Sequence, residues 1–443
     1  MLEPQGTLFF LLLMVAFGAL LSWLVLTKQV VFRVLAACLA FIPAMVFGIA
    51  AVNKYYDYYQ TWGGLFADLS GQSSSTVTQV SAAGLGSGIG KTVQTQISQT
   101  DPALDAQLGL LFRTTVKGPR SHIVRQVYIY LPPEYFRKAY ANYRFPAIEL
   151  LHGSPGEPQS WVNVMDIIPI YKQLLATGQA APAVLVMPDT DGGLKYSLQC
   201  LNNPHGLQDM TFVGKEVPEW VDANLRVQRS GLMWGIAGYS EGGFCAANIG
   251  LRYADEFSYA GVLSGYFRPL ASKVPVFGKP RVLWVFAHNR QAALANTPDW
   301  YVLHVPLGIE VPQFFLAAGG ADQADVSGAE YFRQLLQNRV ADVLPVTIIS
   351  GAGHQAKVWR AALTPMLTWM TKQLAAAVQR YGSISPTRPA DAERRPKTQA
   401  TTGTVPPKAS HAGKPKPTRS PTPRPSKLSP PPRLSTGSLP GRR

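Results

Sequence analysis

Charge is scarce in this chain. Asp, Glu, Lys and Arg supply 15% of its 443 residues, against 47% hydrophobic residues. That balance is ample for one large domain and leaves an apolar surplus that points to membrane segments. Two uncharged runs, residues 7–26 and 34–52, account for it, the second interrupted by Pro43. Each is long enough to cross a hydrocarbon core of roughly 30 Å at helical rise. The N-terminus also lacks what a signal peptide needs. It opens on Glu3 instead of a basic segment, has no small-residue cleavage site, and meets a second apolar run at once. A two-helix transmembrane hairpin over residues 1–53 is therefore the expectation. Lys28 and Arg33 in the connector favour the cytoplasmic side, which puts everything after residue 52 outside the plasma membrane, with Lys54 opposing weakly. Tyr55, Tyr56, Tyr58, Tyr59 and Trp62 fit an aromatic belt at the outer interface, or else a short amphipathic packing segment.

Two further stretches are poor in core-forming residues. Residues 70–100 have almost no charge and few large apolar side chains, and read as a flexible Ser/Gly/Thr tether within a juxtamembrane region spanning 54–109. Residues 383–443 are rich in Pro, Ser, Thr and basic residues and cannot build a core, so the segment 381–443 is expected to be disordered. That tail holds 13 Lys and Arg against Asp391 and Glu393, about +11 of the formal +15. Outside a membrane such charge suits anionic phospholipid headgroups or wall polymers, with a solvated tail as the bland reading; nucleic acid is not an expected partner there. Between these stretches, strand-like and helix-like segments alternate over 110–380. This pattern predicts a doubly wound, mostly parallel α/β sheet in one domain.

Within that domain Gly238-Tyr239-Ser240-Glu241-Gly242 reads as a nucleophile elbow. An apolar strand (232–237) leads in and a helix-compatible run (243–249) leads out. So sharp a turn needs glycine on both sides of the serine and presents the hydroxyl at a helix start. His354, in a glycine-rich turn after Val346-Thr347-Ile348-Ile349, is the expected base. The acid belongs after the strand 312–318, where Asp322 is the expectation, and Asp325 and Glu330 compete. In that reading Asp325 caps the helix over 326–336 instead. His152-Gly153-Ser154 follows the strand 147–151 and suggests an oxyanion hole made by the N–H groups of Ser154 and Glu241, with His152 structural.

These stretches, together with Trp161, Met187-Pro188-Asp189, Leu263-Ser264-Gly265-Tyr266 and Gly353-His354 with Trp359, resemble one family. It is the Putative esterase branch of the α/β-hydrolases, which includes esterase D and the antigen 85 mycolyltransferases, here in a membrane-anchored actinobacterial type. The resemblance spans about 110–377 and implies a serine hydrolase or acyltransferase with no metal and no organic cofactor. The acid motif departs from the family's Gly-x-x-Asp-Pro, and the mycolyltransferases use a glutamate, which keeps Glu330 a candidate. Similar actinobacterial sequences carry cysteines at positions 200 and 245, which implies a Cys200–Cys245 disulfide in an oxidising compartment, two buried thiols being the alternative. Cys38 lies in the second apolar run as a small apolar residue. Asp189-Thr190-Asp191-Gly192-Gly193 offers too few ligands for a calcium loop and is read as a rim. Trp161, Tyr196, Tyr239 and Tyr266 are candidate pocket walls, though ordinary core packing is the stronger reading for each. The expected activity is hydrolysis of acyl or aminoacyl esters of lipid or envelope molecules. Transfer of the acyl group to a sugar or lipid hydroxyl is the first alternative, and a non-catalytic envelope-binding protein the second.

Overall fold

The structure is a computed structural model that describes residues 2–70, 77–79, 93, 95–97, 99–192, 199–229, 231–270, 279–306, 308–340 and 342–382. The expected disordered tail lies outside these residues from 383 onward, as does Tyr196, while Tyr381 and Gly382, expected in that tail, instead end and cap the helix Ala356–Tyr381.

Two helices, α1 (Thr7–Leu26) and α2 (Val30–Tyr56), form an antiparallel pair that is long and apolar enough to cross a membrane. The second begins four residues before the apolar run and continues four beyond it. The Arg33 side chain reaches back to the Thr27 carbonyl at 2.9 Å, and the connector shrinks to three residues. Ala36, Ala40, Pro43 and Ala50 are the buried positions of α2, a stripe of small residues that lets the two backbones approach closely. Asp57 ends the helix in a left-handed conformation (φ 52°), and α3 (Trp62–Leu69) follows, its first turn capped by the Thr61 hydroxyl, which accepts from the Gly64 N–H at 3.1 Å.

The remaining described chain builds a nine-stranded sheet. In chain order the strands are β1 (Thr78–Gln79), β2 (Leu110–Gly118), β3 (Ile123–Leu131), β4 (Ala147–Leu151), β5 (Val184–Pro188), β6 (Gly231–Tyr239), β7 (Phe257–Leu263), β8 (Gln313–Gly319) and β9 (Thr347–Ile349). Their spatial order is β1-β2-β3-β5-β4-β6-β7-β8-β9, with β2/β3 and β3/β5 antiparallel and every other pair parallel. Helices cover both faces, so the central strands read as continuous apolar runs. Alternation still sorts their side chains: Val127, Ile129, Trp234 and Ile236 join one core layer, while Tyr128, Tyr130, Ala237 and Tyr239 join the other.

The expected tether at 70–100 falls largely outside the described residues. Within its described parts Thr78–Gln79 pairs with β2, and Val93 and Ile97 are buried in the core.

One buried polar group sits in this core without help. Glu149, midway along β4, is fully buried and neither carboxylate oxygen has a hydrogen-bond partner. Burial pushes its carboxyl well above the ordinary value of 4.5, and the nearby Glu256 adds to the rise. A carboxyl that holds its proton more tightly folded than unfolded contributes stability only at low pH, and that contribution drains away as pH rises through the folded value. Glu149→Gln is therefore expected to melt higher than wild type at pH 8, by about 2–4 °C for each kcal/mol relieved. The two proteins should converge as pH falls toward 4.5; thermal melts across that range check it.

Candidate active site

The site forms at the carboxyl ends of the parallel strands, where open α/β sheets present their loops. Ser240 joins β6 to the helix α4 (Glu241–Arg252) and sits at φ 55°, ψ −120°, a region that an L-residue occupies only when its surroundings force it. What forces it is visible. The Ser240 N–H donates to the Leu263 carbonyl at 2.9 Å, and its own carbonyl accepts from the N–H groups of Gly243 (3.0 Å) and Phe244 (3.2 Å). The flanking glycines allow the turn to close: a methyl on Gly238 would stand 2.1 Å from the Gly242 carbonyl oxygen, and one on Gly242 would stand 2.1 Å from that of Leu151.

Ser240 Oγ lies 2.8 Å from Nε2 of His354, and His354 Nδ1 lies 2.8 Å from Oδ2 of Asp325. Ser240 and His354 thus meet as the sequence leads one to expect, but the carboxylate on the imidazole is Asp325 and not Asp322. The two aspartates exchange the expected parts. Asp322 caps the helix α5 (Gln323–Gln337), where its Oδ1 accepts from the N–H groups of Ala324 and Asp325. The turn after β8 is pinned to the histidine loop by Gly320 N–H to Ile349 O and Ala321 N–H to Ala352 O, both 2.9 Å. A methyl on Gly319 would lie 2.4 Å from the Gly353 carbonyl oxygen, so the two loops are in contact. This pairing uses up the turn, and the first carboxylate free to aim at His354 is the one in the first turn of α5. Glu330, the other candidate, instead pairs with Arg333 at 2.8 Å.

The His152-Gly153-Ser154 turn lies directly against the elbow. A methyl on Gly153 would sit 2.8 Å from the Tyr239 ring and 3.2 Å from Cβ of Ser240. Ser154 lines the cavity over Ser240, and Glu241 opens α4 directly after it. His152 is buried and turned away from Ser240. Its Nδ1 meets the Gly153 carbonyl at 2.9 Å and its Nε2 meets the Thr190 hydroxyl at 3.0 Å, which fixes the turn from behind. Burial works against a charge on this ring, but the carboxylates of Asp189 and Asp191 outweigh it, and the net shift is upward.

Two clusters of His and carboxylate ligands occur among the described residues: His152 with Asp189 and Asp191, and His354 with Asp322 and Asp325. Their donors are already engaged. Asp189 Oδ1 accepts from the Asp191 (3.2 Å) and Gly192 (2.7 Å) N–H groups, which makes a self-contained rim turn. In the second cluster His354 and Asp325 are engaged in the relay and Asp322 in the helix cap.

Of the candidate pocket walls, Tyr239 stacks on Trp359 with ring centroids 4.7 Å apart and lines the cavity. Trp161 packs edge-on beneath Tyr239 in the core, and Tyr266 stacks on Phe244 away from the site. Cys200 and Cys245 form a disulfide (Cα–Cα 5.6 Å) that ties the substrate-side loop to α4. Closing a loop of 45 residues is worth about 4 kcal/mol in a chain-entropy account.

The other half of the cavity comes from the hairpin. The space above Ser240, about 1120 Å³, is walled on one side by Gly153, Ser154, Tyr239, His354 and Trp359, and on the other by the hairpin: Phe9, Val46, Ile49, Ala50 and Asn53. The seating is specific. The Arg360 guanidinium donates to the Asp57 backbone carbonyl at 3.0 Å and also pairs with the Asp57 carboxylate. The Tyr58 hydroxyl meets the Pro155 carbonyl at 3.4 Å, and Tyr58 and Tyr59 pack onto the core layer below. The expected aromatic belt is thus divided: Tyr55 and Tyr56 stay exposed, while Tyr58 and Tyr59 are packing residues. The only hint in the sequence was that amphipathic spacing.

Fold and relay together define an α/β-hydrolase acting on carboxylic esters through a serine. The chain belongs to the Putative esterase family, whose model matches residues 123–370. It is similar to an uncharacterized protein of Corynebacterium glutamicum, 25% identical over 353 residues that cover 77% of this chain and 76% of that one. Among solved structures, a ferulic acid esterase superposes with a TM-score of 0.50 at 22% identity over 60% of this chain and 98% of its own. An S-formylglutathione hydrolase from Agrobacterium tumefaciens gives a TM-score of 0.50 at 17% identity over 60% and 96%. These two share the fold with this chain.

Proposed function

We propose that the protein is a membrane-anchored, outward-facing serine esterase that hydrolyses acyl or aminoacyl esters of lipid or cell-envelope molecules. The observation that carries the catalytic part is the Ser240–His354–Asp325 relay, two successive 2.8 Å contacts. His354 Nε2 takes the hydroxyl proton as Ser240 Oγ adds to the ester carbonyl. The N–H groups of Ser154 and Glu241 receive the charge that develops on the carbonyl oxygen. Collapse of this intermediate breaks the bond to the alcohol, which leaves with the proton returned by His354. Water then adds to the acyl-enzyme with His354 again as base, releasing the acid and restoring Ser240. Asp325 holds Nδ1–H and stabilises the imidazolium at both stages.

Support for the membrane comes from the two apolar helices, and for the outward side from Lys28 in the short connector and Arg33 in the first turn of α2. The test uses the full chain in phospholipid vesicles with a fluorophosphonate probe. The expected result is a single adduct, mapped by peptide mass spectrometry to Ser240. Folded protein that takes up no probe would falsify the esterase reading and leave a non-catalytic binding role.

A further inference from the structure

The geometry points to the membrane hairpin as part of the catalytic site: its outer end is the acyl-binding wall, and the substrate is a long-chain ester that enters sideways from the lipid leaflet. This inference rests on the esterase reading and adds the substrate class and its route.

Three observations converge on it. First, the cavity over Ser240 is built from two parts of the chain, and the hairpin's contribution is mostly apolar: Phe9, Val46, Ile49 and Ala50 line it beside the polar Asn53. An anchor that merely held the enzyme near a membrane would need no side chains in the active site. Second, the wall continues outward onto the lipid-facing surface of the same helix. Ile49 and Val52 line the cavity yet remain 64% and 59% exposed, so an apolar chain can pass from the helix exterior to Ser240 without leaving apolar surface. Third, the depth is right. From Val30 to Ile49 the helix rises about 28 Å, which nearly matches a hydrocarbon core of about 30 Å. If the core begins at Val30, Ile49 lies at its outer boundary, the level at which the ester linkages of bilayer lipids sit. The acyl chain would lie along the hairpin in the hydrocarbon while its carbonyl reached Ser240 just above.

The contacts that seat the hairpin are polar and lie above this level, at Asp57 with Arg360 and at Tyr58 with Pro155. They hold the wall in register without occupying the route.

The test compares 4-nitrophenyl palmitate with 4-nitrophenyl butyrate, using the full-length protein in phosphatidylcholine–phosphatidylglycerol vesicles. Wild type is expected to prefer the long ester in kcat/KM. Ile49→Trp and Val46→Trp, which place a ring in the route, are each expected to lower the palmitate-to-butyrate ratio ten-fold or more, since apolar pockets discriminate by about 10–200-fold per misfitted methylene group. Fluorophosphonate labelling of Ser240 reports that each variant is folded, and the second serves if the first is not. A ratio unchanged within two-fold in labelled variants overturns the inference, as does a labelled wild type with no preference for palmitate; both leave the esterase reading standing. A folded wild type that does not label removes the esterase reading, and this inference with it.

Discussion

Asp325→Asn is expected to lower kcat on any ester by about 10⁴-fold while leaving KM near its wild-type value. The amide preserves the shape of the 2.8 Å contact but presents an N–H₂ or a neutral oxygen where the imidazole needs a carboxylate. The ring then favours the wrong tautomer, and the imidazolium that forms as Ser240 loses its proton goes unstabilised. Asp322→Asn is the informative partner. Asparagine caps helices as well as aspartate does, so this variant should keep most activity and stability, and Asp322→Ala should cost about 1 kcal/mol of stability. If Asp322 were the acid, the two rows of kinetics would be exchanged. Steady-state rates and thermal melts on four purified proteins decide it.

Ser240→Ala is expected to reduce kcat by about 10⁶-fold and to abolish fluorophosphonate labelling, with folding intact because alanine adds no bulk. The strained φ of 55° persists only under the pull of the Leu263, Gly243 and Phe244 hydrogen bonds, all of which are made by backbone atoms and survive the change. His354→Ala should be nearly as severe. The double variant should be no worse than the worse single one, because nucleophile and base act as one unit. Roughly multiplying losses would mean that the two residues act separately, which the 2.8 Å contact does not allow.

The elbow could be read in the sequence because the pattern that marks it lies within 20 residues: an apolar strand, two glycines and a helix. His354 was legible for a similar reason, a strand followed by a glycine-rich turn. The acid was not, and the cause is spatial. Asp322 and Asp325 stand three residues apart at a helix start, where either can cap and either can face outward. The choice is made by the contact between Gly319 and Gly353, which no local pattern encodes. The hairpin's seat was further out of reach. It depends on Asp57 meeting Arg360 across 303 positions, and tyrosines that suit a membrane interface suit a protein interface equally well. Glu149 was hidden by its strand, whose apolar neighbours disguise a single acid at a position buried on both faces.

The clasp between Arg360 and Asp57 bears on how the enzyme is handled. Trimming the first 56 residues to obtain a water-soluble fragment discards one side of the cleft, with Phe9, Val46, Ile49 and Ala50. Kinetics on such a fragment would describe a shallow, promiscuous groove, and a screen built on it would select ligands for a surface that the intact protein never shows.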